Sequence, residues 1–365
     1  MLPARQLPTL ESEIEVTDTE PQDQTPAAKR KPGNSGATIY DIAKLAGVNP
    51  STVSRALTTP GRINERTEAK IRAAAAELNY RVNPFARALP TGRTKMLAMM
   101  VADITNPVFF DVVRGAEEAA TAAGYTLVIA DSQESAEREL LAAEKVLPVV
   151  DGIALITSRL SDDQIARLHA EKPVVTMNRV VKGVSSTIPD SAPGIQQLID
   201  HLAALGHRSI AYLSGPAPAW MNKHRWELLM AAAVKAGMNI VEIGPNFPNL
   251  EAGKAALGRV RASGVTAVVA YNDLMAIGLL REAVAQGISV PGDLSVAGFD
   301  DIFGADFTSP STTTVKTPLL ELGRIVVNRL ITELEDPEAG AVNAATGLAT
   351  ALVARGSTGI AKVGN

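Results

Sequence analysis

Residues 38–58 read Thr38-Ile-Tyr-Asp-Ile-Ala-Lys-Leu-Ala-Gly-Val-Asn-Pro-Ser-Thr-Val-Ser-Arg-Ala-Leu-Thr58, a pattern that predicts two short helices joined by a tight turn. The apolar residues of the first helix recur at the spacing of one helical face: Ile39, Ile42, Ala43 and Ala46. Gly47 supplies the left-handed conformation that a sharp helix stop requires. Asn49 can cap the second helix, and Pro50 suits its first position, where the backbone N–H lacks a partner.

The second helix of this stretch combines an apolar face with a polar one. Val53, Ala56 and Leu57 are predicted to face the core. The residues predicted to point away from it are short hydroxyls and one arginine: Ser51, Thr52, Ser54, Arg55 and Thr58. Such side chains contact phosphates and base edges in DNA. A polar helical hairpin without a ligand is the alternative interpretation.

A third helix completes a small helical unit. It is predicted from Glu65 to Leu78 with Asn64 as its cap, and its apolar face consists of Ile71, Ala74, Ala75 and Leu78. Three helices can therefore share one core, which is the support from which a helix-turn-helix presents its second helix to a major groove.

The charge of the chain is distributed unevenly. The whole sequence of 365 residues carries a formal net charge of −4, whereas residues 37–95 contain ten Lys or Arg and four Asp or Glu. The positive charge is concentrated on the helical unit, as phosphate binding requires, and the acidic remainder disfavours non-specific binding to DNA.

Residues 38–95 resemble the DNA-binding headpiece of the lactose repressor (LacI/GalR) family of bacterial transcription regulators. The resemblance rests on three segments: Thr38-Ile-Tyr-Asp-Ile-Ala43, Thr52-Val-Ser-Arg55 and Leu78-Asn-Tyr-Arg81. It implies that Ser51, Thr52 and Arg55 read bases, with Arg55 suited to the O6 and N7 atoms of guanine. Phosphate contacts are expected from Tyr40, Ser54, Thr58 and Asn83. Thr38, Ala86 and Arg87 complete the expected DNA-contacting set.

The resemblance also implies a hinge helix at residues 83–89. In the family this helix orders on DNA, pairs with its copy in the second subunit and wedges a leucine between base pairs, the position of Leu89 here. Two residues depart from the usual pattern: Val82 replaces a frequent proline, and Pro90 follows Leu89 and disfavours helical geometry there. A plain linker is the alternative.

Composition limits the other classes of protein. There is no cysteine, which excludes disulfides and thiolate metal sites and fits a reducing cytoplasm. No apolar run is long enough for a membrane span, and the first residues lack the apolar core of a signal peptide. Residues 1–37, rich in Pro, Glu, Gln, Thr and Asp, are expected to form a disordered tail, in which the basic cluster Lys29 to Lys31 could touch flanking phosphates or simply be solvated.

From Lys95 onward the pattern changes to alternating strands and helices, typical of doubly wound parallel sheets. Strands are predicted at residues 96–102, 126–130, 152–156, 174–177, 209–213, 239–243, 267–270, 294–298 and 346–353. Helices are predicted at residues 112–123, 134–147, 161–170, 194–205, 222–236, 251–262, 274–285 and 315–334.

The two similar series of βα units, joined near residues 188–193, predict two lobes with a cleft between them. The resemblance implies the two-lobed core that the family shares with periplasmic sugar-binding proteins, in which the chain crosses between the lobes three times. The expected division is a headpiece at 38–82, a hinge helix and linker at 83–95, a first lobe from 96–190 with 316–336, a second lobe from 191–315 with 337–357, and a tail at 358–365.

Ligands of open α/β sheets bind beyond the carboxyl ends of the strands. Aromatic, carboxylate, amide and guanidinium groups follow several predicted strands, and these suit the apolar face and the hydroxyl groups of a sugar. The resemblance implies that Phe109, Arg225, Asn272 and Asp300 contact a small-molecule effector; Asp131, Arg179, Trp220 and Lys223 are further candidates. Each has an alternative: core packing for Phe109, helix capping for Asp131, a surface ion pair for Arg179 and a surface position for Trp220.

No catalytic or metal-binding motif accompanies these residues, so neither an enzyme nor a cofactor is expected. The sequence predicts a cytoplasmic regulator, a repressor, that is homodimeric or tetrameric, with the dimer favoured. It is expected to bind a pseudo-palindromic operator in double-stranded DNA and to be controlled by a sugar or nucleoside whose identity is unknown. The alternative is a sugar-binding protein without specific DNA recognition.

Overall fold

The computed structural model describes residues 37–58, 61–80, 92–336 and 343–362. The chain divides into two compact units, residues 1–82 and 83–365. The predictions made for the tail before residue 37 and for the hinge helix, including Asn83, Ala86, Arg87 and Leu89, fall outside the described residues. Within the part that is described, no helix is both long enough and apolar enough to span a bilayer.

The described residues of the first unit form three helices around one small core. They are α1 (Ile39–Ala46), α2 (Pro50–Thr58) and α3 (Glu65–Glu77). The buried side chains come from all three helices, as predicted: Ile42, Ala43, Val53, Ala56, Ile71, Ala74 and Ala75. Gly47 ends α1 in the left-handed conformation, with φ of 65°, and Asn64 caps α3 by accepting a hydrogen bond from the Arg66 amide at 3.0 Å.

The second unit alternates strands and helices. Its strands are β1 (Met96–Val101), β2 (Thr126–Asp131), β3 (Gly152–Ile156), β4 (Val174–Met177), β5 (Ser185–Asp190), β6 (Ser209–Leu213), β7 (Asn239–Ile243), β8 (Ala267–Ala270), β9 (Ser295–Asp300), β10 (Thr313–Lys316), β11 (Asn343–Ala349) and β12 (Ala351–Val353). Its helices are α4 (Val108–Ala122), α5 (Ala136–Val146), α6 (Asp162–Glu171), α7 (Ala192–Ala204), α8 (Trp220–Lys235), α9 (Leu250–Ala255), α10 (Leu257–Ser263), α11 (Asp273–Ala285) and α12 (Leu319–Glu335).

These strands form two six-stranded sheets, which confirms the two-lobed α/β core. The first sheet has the order β11-β5-β4-β3-β1-β2, and the second has the order β12-β10-β9-β8-β6-β7. All neighbours are parallel except β10 and β12, which are antiparallel. The central strands are buried on both faces, as expected for parallel sheets covered by helices.

The structure corrects the sequence prediction in four places. Strand β5 was not predicted, and β10 occupies the start of the helix predicted at 315–334, which begins only after Pro318. The helix predicted at 251–262 is divided into α9 and α10. The strand predicted at 346–353 is divided at Thr350, so β11 belongs to the first sheet and residues 343–349 lie in the first lobe rather than the second.

The chain passes between the lobes three times, and the three crossings lie close together. Thr350, between β11 and β12, donates hydrogen bonds from its amide (2.9 Å) and its hydroxyl (3.1 Å) to the carbonyl oxygen of Asp190, at the end of β5. Gly194 packs so tightly that a Cβ added there would lie 2.4 Å from the Thr350 hydroxyl and 2.6 Å from the Val315 side chain. These contacts bring one residue of each crossing to the same place.

Helices α4 and α12 of the first lobe touch through their backbones. A Cβ at Gly115 would lie 1.9 Å from the carbonyl oxygen of Leu320, and a Cβ at Gly323 would lie 2.1 Å from the carbonyl oxygen of Val112. Only glycine allows this approach. An ion pair between Arg324 and Glu118 (2.7 Å) joins the same two helices at their exposed edge.

Candidate functional site

Helix α2 is held with its polar face outward. The side chain of Asn49 accepts hydrogen bonds from the amide (3.1 Å) and the hydroxyl (3.0 Å) of Ser51, which fixes the start of the helix. Val53 and Ala56 are buried against the other two helices. The opposite face is therefore directed to solvent.

Two of the residues predicted to contact DNA, Arg55 and Tyr40, present exposed side chains. Arg55 is exposed, and within the described residues its guanidinium has no hydrogen-bond or ion-pair partner; Tyr40 is 69% exposed. Thr52 and Ser54 are half-buried on the same helix, which ends at Thr58.

The hydroxyl of Thr38, by contrast, is committed to the start of α1. It donates to Asp41 at 2.7 Å, and the Thr38 amide donates to the same carboxylate at 2.8 Å. These hydrogen bonds lower the pKa of Asp41. Thr38 is thus part of a capping box, which stabilises α1.

A cavity lies between the two lobes, at the carboxyl ends of the strands of both sheets. Its empty space amounts to about 580 Å³, a figure that includes open solvent. The polar and aromatic residues that line it from the first lobe are Asn106, Phe109, Glu134, Thr157, Arg159 and Asn178. Those from the second lobe and its crossing are Arg225, Tyr271, Asn272, Asp300 and Thr317.

Arg225 and Asp300 form a buried ion pair on the second-lobe wall. The Nη2 atom of Arg225 lies 2.6 Å from Oδ1 of Asp300, and both side chains are more than nine-tenths buried. Nη1 donates to the carbonyl oxygen of Tyr271, and the guanidinium lies 4.4 Å from the ring centroid of Phe299. The Nε atom is buried without a partner among the described residues. The pair is therefore held rigidly, with one donor unused.

The backbone is strained where several of these side chains project. Residues other than glycine rarely adopt positive φ, yet φ is 60° at Glu134, 58° at Thr157, 61° at Asn178 and 101° at Asp300. Such conformations cost of order 1–3 kcal/mol each and cluster at ligand sites. Four of them on the wall of one cavity make it the candidate functional site of this unit.

A second buried ion pair, between Arg159 and Glu134, lies on the first-lobe wall and was not predicted from the sequence. The Nε and Nη2 atoms of Arg159 both lie 2.7 Å from Oε2 of Glu134, and Nη1 donates to the carbonyl oxygen of Thr157 at 2.6 Å. The Arg159 amide donates to Glu139, whose pKa is raised by burial. Arg159 follows β3 by three residues, so the strand-end rule that selected the other candidates could have found it.

The structure brings together four of the eight residues predicted to bind an effector, Phe109, Arg225, Asn272 and Asp300, which all line the cavity. Phe109 is also buried in the first-lobe core, so its side chain both packs in that core and lines the cavity. Both amide atoms of Asn272 are engaged: Oδ1 accepts from the Met275 amide at 3.0 Å, and Nδ2 donates to the carbonyl oxygen of Pro248 at 2.9 Å. Asn272 shapes the wall as the cap of α11.

The other four predicted effector residues lie outside the cavity lining, each for a visible reason. Asp131 braces loops by accepting from the amides of Ile104 and Gln133, both at 3.2 Å. Arg179 is held by Asp162 (2.7 Å) and by backbone carbonyl groups. The ring of Trp220 stacks on His224 at 4.9 Å, and Lys223 is exposed beside Glu227.

Asp273, which directly follows Asn272, is fully buried behind the cavity wall. Its Oδ1 accepts from the hydroxyl of Thr314 at 2.6 Å and its Oδ2 accepts from the amide of Ile302 at 3.0 Å. Burial raises the pKa of this carboxyl to about 8, against the effect of these hydrogen bonds. Asp273 therefore packs in its protonated form below about pH 8.

This pKa predicts a dependence of stability on pH. The folded chain holds a proton that the unfolded chain, with its ordinary pKa of 3.8, has lost, so the free energy of unfolding should fall as the pH rises from about 4 to about 8 and then level off. Urea denaturation at pH 7, 8 and 9 should show this fall in the wild type and a flatter profile in Asp273→Asn. Parallel profiles would contradict the raised pKa.

Two family models match the chain. Residues 38–83 match the model described as bacterial regulatory proteins, lacI family, and residues 199–358 match a periplasmic binding protein-like domain. The HTH-type transcriptional regulator DegA of Bacillus subtilis (strain 168) is 33% identical over 308 residues, covering 78% of this chain and 88% of that protein. The chain belongs to the lacI family of bacterial regulatory proteins.

Two further comparisons agree with this assignment. The ribose operon repressor of Escherichia coli (strain K12) is 32% identical over 311 residues, covering 82% of this chain and 94% of the repressor. The crystal structure of the lac repressor dimer bound to operator and the anti-inducer ONPF superposes with a TM-score of 0.79 at 25% identity, covering 89% of this chain and all of that one. The lacI-family chain is a DNA-binding transcriptional regulator, and the alternative of a sugar-binding protein without DNA recognition is set aside by the match to residues 38–83.

Proposed function

We propose that this lacI-family regulator is a cytoplasmic repressor that binds an operator as a homodimer, with Arg55 as its principal base-reading residue. The proposal is supported by the guanidinium of Arg55, which is exposed and unpaired on the solvent-facing side of α2. This helix is capped at its start and packs against α1 and α3. Ser51 and Thr52 stand beside it on α2, and Tyr40 projects from α1. Thr58 and Ser54 are assigned to phosphates with Asn83, while Ala86, Arg87 and Leu89 are assigned to the hinge.

The cavity between the lobes is proposed to hold the effector, a sugar or nucleoside. No cofactor is proposed in addition to that effector. An effector that binds one relative orientation of the lobes better than another shifts the population toward it and so changes operator affinity. The family relatives are regulators, which supports a binding role rather than catalysis.

The operator can be found by selecting duplexes from a random pool on the purified protein at two salt concentrations. A two-fold symmetric motif is expected. Retention without a motif, falling steeply with salt, would mean that the helical unit contributes phosphate attraction alone.

Arg55→Ala should weaken binding to the selected operator by about 1–3 kcal/mol and relax the preference at one base pair in each half-site, because a bidentate contact to guanine is lost. The measurement is competition binding against operators changed at single positions. Arg66→Ala, which removes an exposed charge from α3, serves as the matched control and should leave the base preference unaltered. Equal weakening on every sequence would demote Arg55 to a phosphate contact.

A further inference from the structure

The inference concerns the junction segment, residues 93–95, and it rests on the proposed function of the cavity. This segment directly precedes β1 and lies at the amino-terminal edge of the first sheet, whereas the cavity lies at the carboxyl edge. Oδ1 of Asp151 accepts hydrogen bonds from the amide (2.7 Å) and the hydroxyl (2.8 Å) of Thr94, and Oδ2 accepts from the amide of Lys95 at 3.0 Å. Asp151 is buried, so both oxygens of a buried carboxylate hold the junction segment.

Two further contacts fix the junction segment. Nη2 of Arg93 donates to the carbonyl oxygen of Leu334 in the last turn of α12, where carbonyl groups lack helical partners and the helix dipole favours a cation. Lys95 has a φ of 57°, which residues other than glycine keep only where their surroundings impose it. Its Nζ atom lies 4.1 Å from the ring centroid of Tyr125. The segment is therefore held by three separate parts of the first lobe.

Two of the elements that hold the junction segment extend across the first lobe to the cavity. Helix α12 has 17 residues and is about 25 Å long. Leu319, in its first turn, lines the cavity, and its last turn receives Arg93. Strand β3 begins directly after Asp151, and its last residue, Ile156, lines the cavity. Both elements lie in close-packed cores, so a rotation of the first lobe carries the junction segment with it.

We propose that the junction segment couples the cavity to operator binding and that Asp151 is the positioning residue of this coupling. Asp151 does not line the cavity. By holding Thr94 and Lys95, it makes the direction in which the chain leaves the first lobe depend on the orientation of that lobe, which the effector biases. Gly92, directly before the segment, has a φ of 66° and open space at its Cβ position. Without the hold of Asp151, backbone rotation near Gly92 would absorb the movement of the lobe.

The variant Asp151→Asn tests this coupling in the full-length protein. Asparagine has one acceptor oxygen, so it can hold Thr94 or Lys95 but not both. The measurements are operator affinity with and without D-ribose, D-glucose or cytidine, and calorimetric affinity for the same probe without DNA. The change in operator affinity, about 5–150-fold for typical allosteric coupling, should fall below about twofold, while affinity for the probe without DNA stays within about twofold of wild type. A merely structural role would leave the response of the folded protein intact.

Two further variants complete the test. Asp163→Asn makes the same change at an exposed position of the first lobe and should keep the wild-type response. Arg93→Ala removes the contact with the end of α12 and should also lower the response, so it decides the question if Asp151→Asn does not fold. A wild-type response in Asp151→Asn, or in Arg93→Ala where that variant decides, overturns this inference and leaves the proposed effector site standing. If none of the three probes changes the operator affinity of the wild type, the proposed control by an effector is contradicted, and this inference fails with it.

Discussion

Asp300→Ala is expected to abolish the response of operator binding to effector. The Asp300 carboxylate holds the guanidinium of Arg225 at 2.6 Å and contributes an acceptor to the cavity wall, and its removal leaves a buried cation without a partner. Breaking a buried pair in this way costs about 3–5 kcal/mol of folding stability. The measurement is operator affinity with and without a sugar or nucleoside that binds the wild-type protein, accompanied by urea denaturation. A retained response would remove Asp300 from the effector site.

The neighbouring residue supplies a matched control. Asp301 is paired with Arg355 at 2.6 Å and with Lys316 at 3.6 Å, and it does not line the cavity. Asp301→Ala should lower stability but keep the effector response. Asp300→Asn should disturb the backbone less than Asp300→Ala, because asparagine tolerates the positive φ of 101° at this position better than alanine does. It too should lose the response, since the neutral amide cannot balance Arg225.

Gly323→Ala is expected to destabilise the second unit by about 3 kcal/mol or more, near the upper end of what overpacking costs. The added methyl group would lie 2.1 Å from the carbonyl oxygen of Val112, and a backbone atom cannot rotate away. Helix α12 must therefore move off α4. Both helices line the cavity near their amino-terminal ends, through Leu319 and Val112, so ligand affinity should fall as well.

Gly258→Ala provides the comparison for this prediction. A Cβ at Gly258 would meet no heavy atom within 4 Å, and its helix is exposed at that point. Alanine should therefore be neutral or stabilise by up to about 1 kcal/mol through helix propensity. Urea denaturation midpoints of the two variants measure the difference. Equal midpoints would show that α4 and α12 accommodate the methyl group.

Much of the architecture could be predicted because parallel strands that are buried on both faces consist largely of consecutive apolar residues. Strands β3 and β4 lie where the sequence placed them, since Gly152–Ile156 is a continuous apolar segment and Val174–Met177 is apolar except for Thr176. Strand β5, by contrast, reads Ser-Ser-Thr-Ile-Pro-Asp, which carries no apolar run, yet most of it is buried between β4 and β11. Burial there comes from tertiary neighbours, which a local pattern cannot show.

The same limit explains why the sequence singled out Arg179, which does not line the cavity, and not Arg159, which does. Arg159 and Arg179 each follow a buried strand within three residues, so local sequence treats them alike. Only the fold shows that Arg179 is drawn toward Asp162 and backbone carbonyl groups, whereas Arg159 meets Glu134, a residue 25 positions away, on the cavity wall. The rule that ligands bind beyond the carboxyl ends of strands correctly predicted Asp300 and Asn272 as cavity residues, because the ends of parallel strands lie at one edge of the sheet.

The convergence of the three crossings at Thr350 has a mechanical consequence. Because Asp190, Gly194 and Val315 are gathered around that one threonine, we expect the lobes to rotate relative to each other about this point more readily than they slide apart. Rotation about this point would change the opening angle of the cavity. We expect a pair of spectroscopic labels on opposite sides of the cavity to measure that angle, and the angle to change with ligand and with operator.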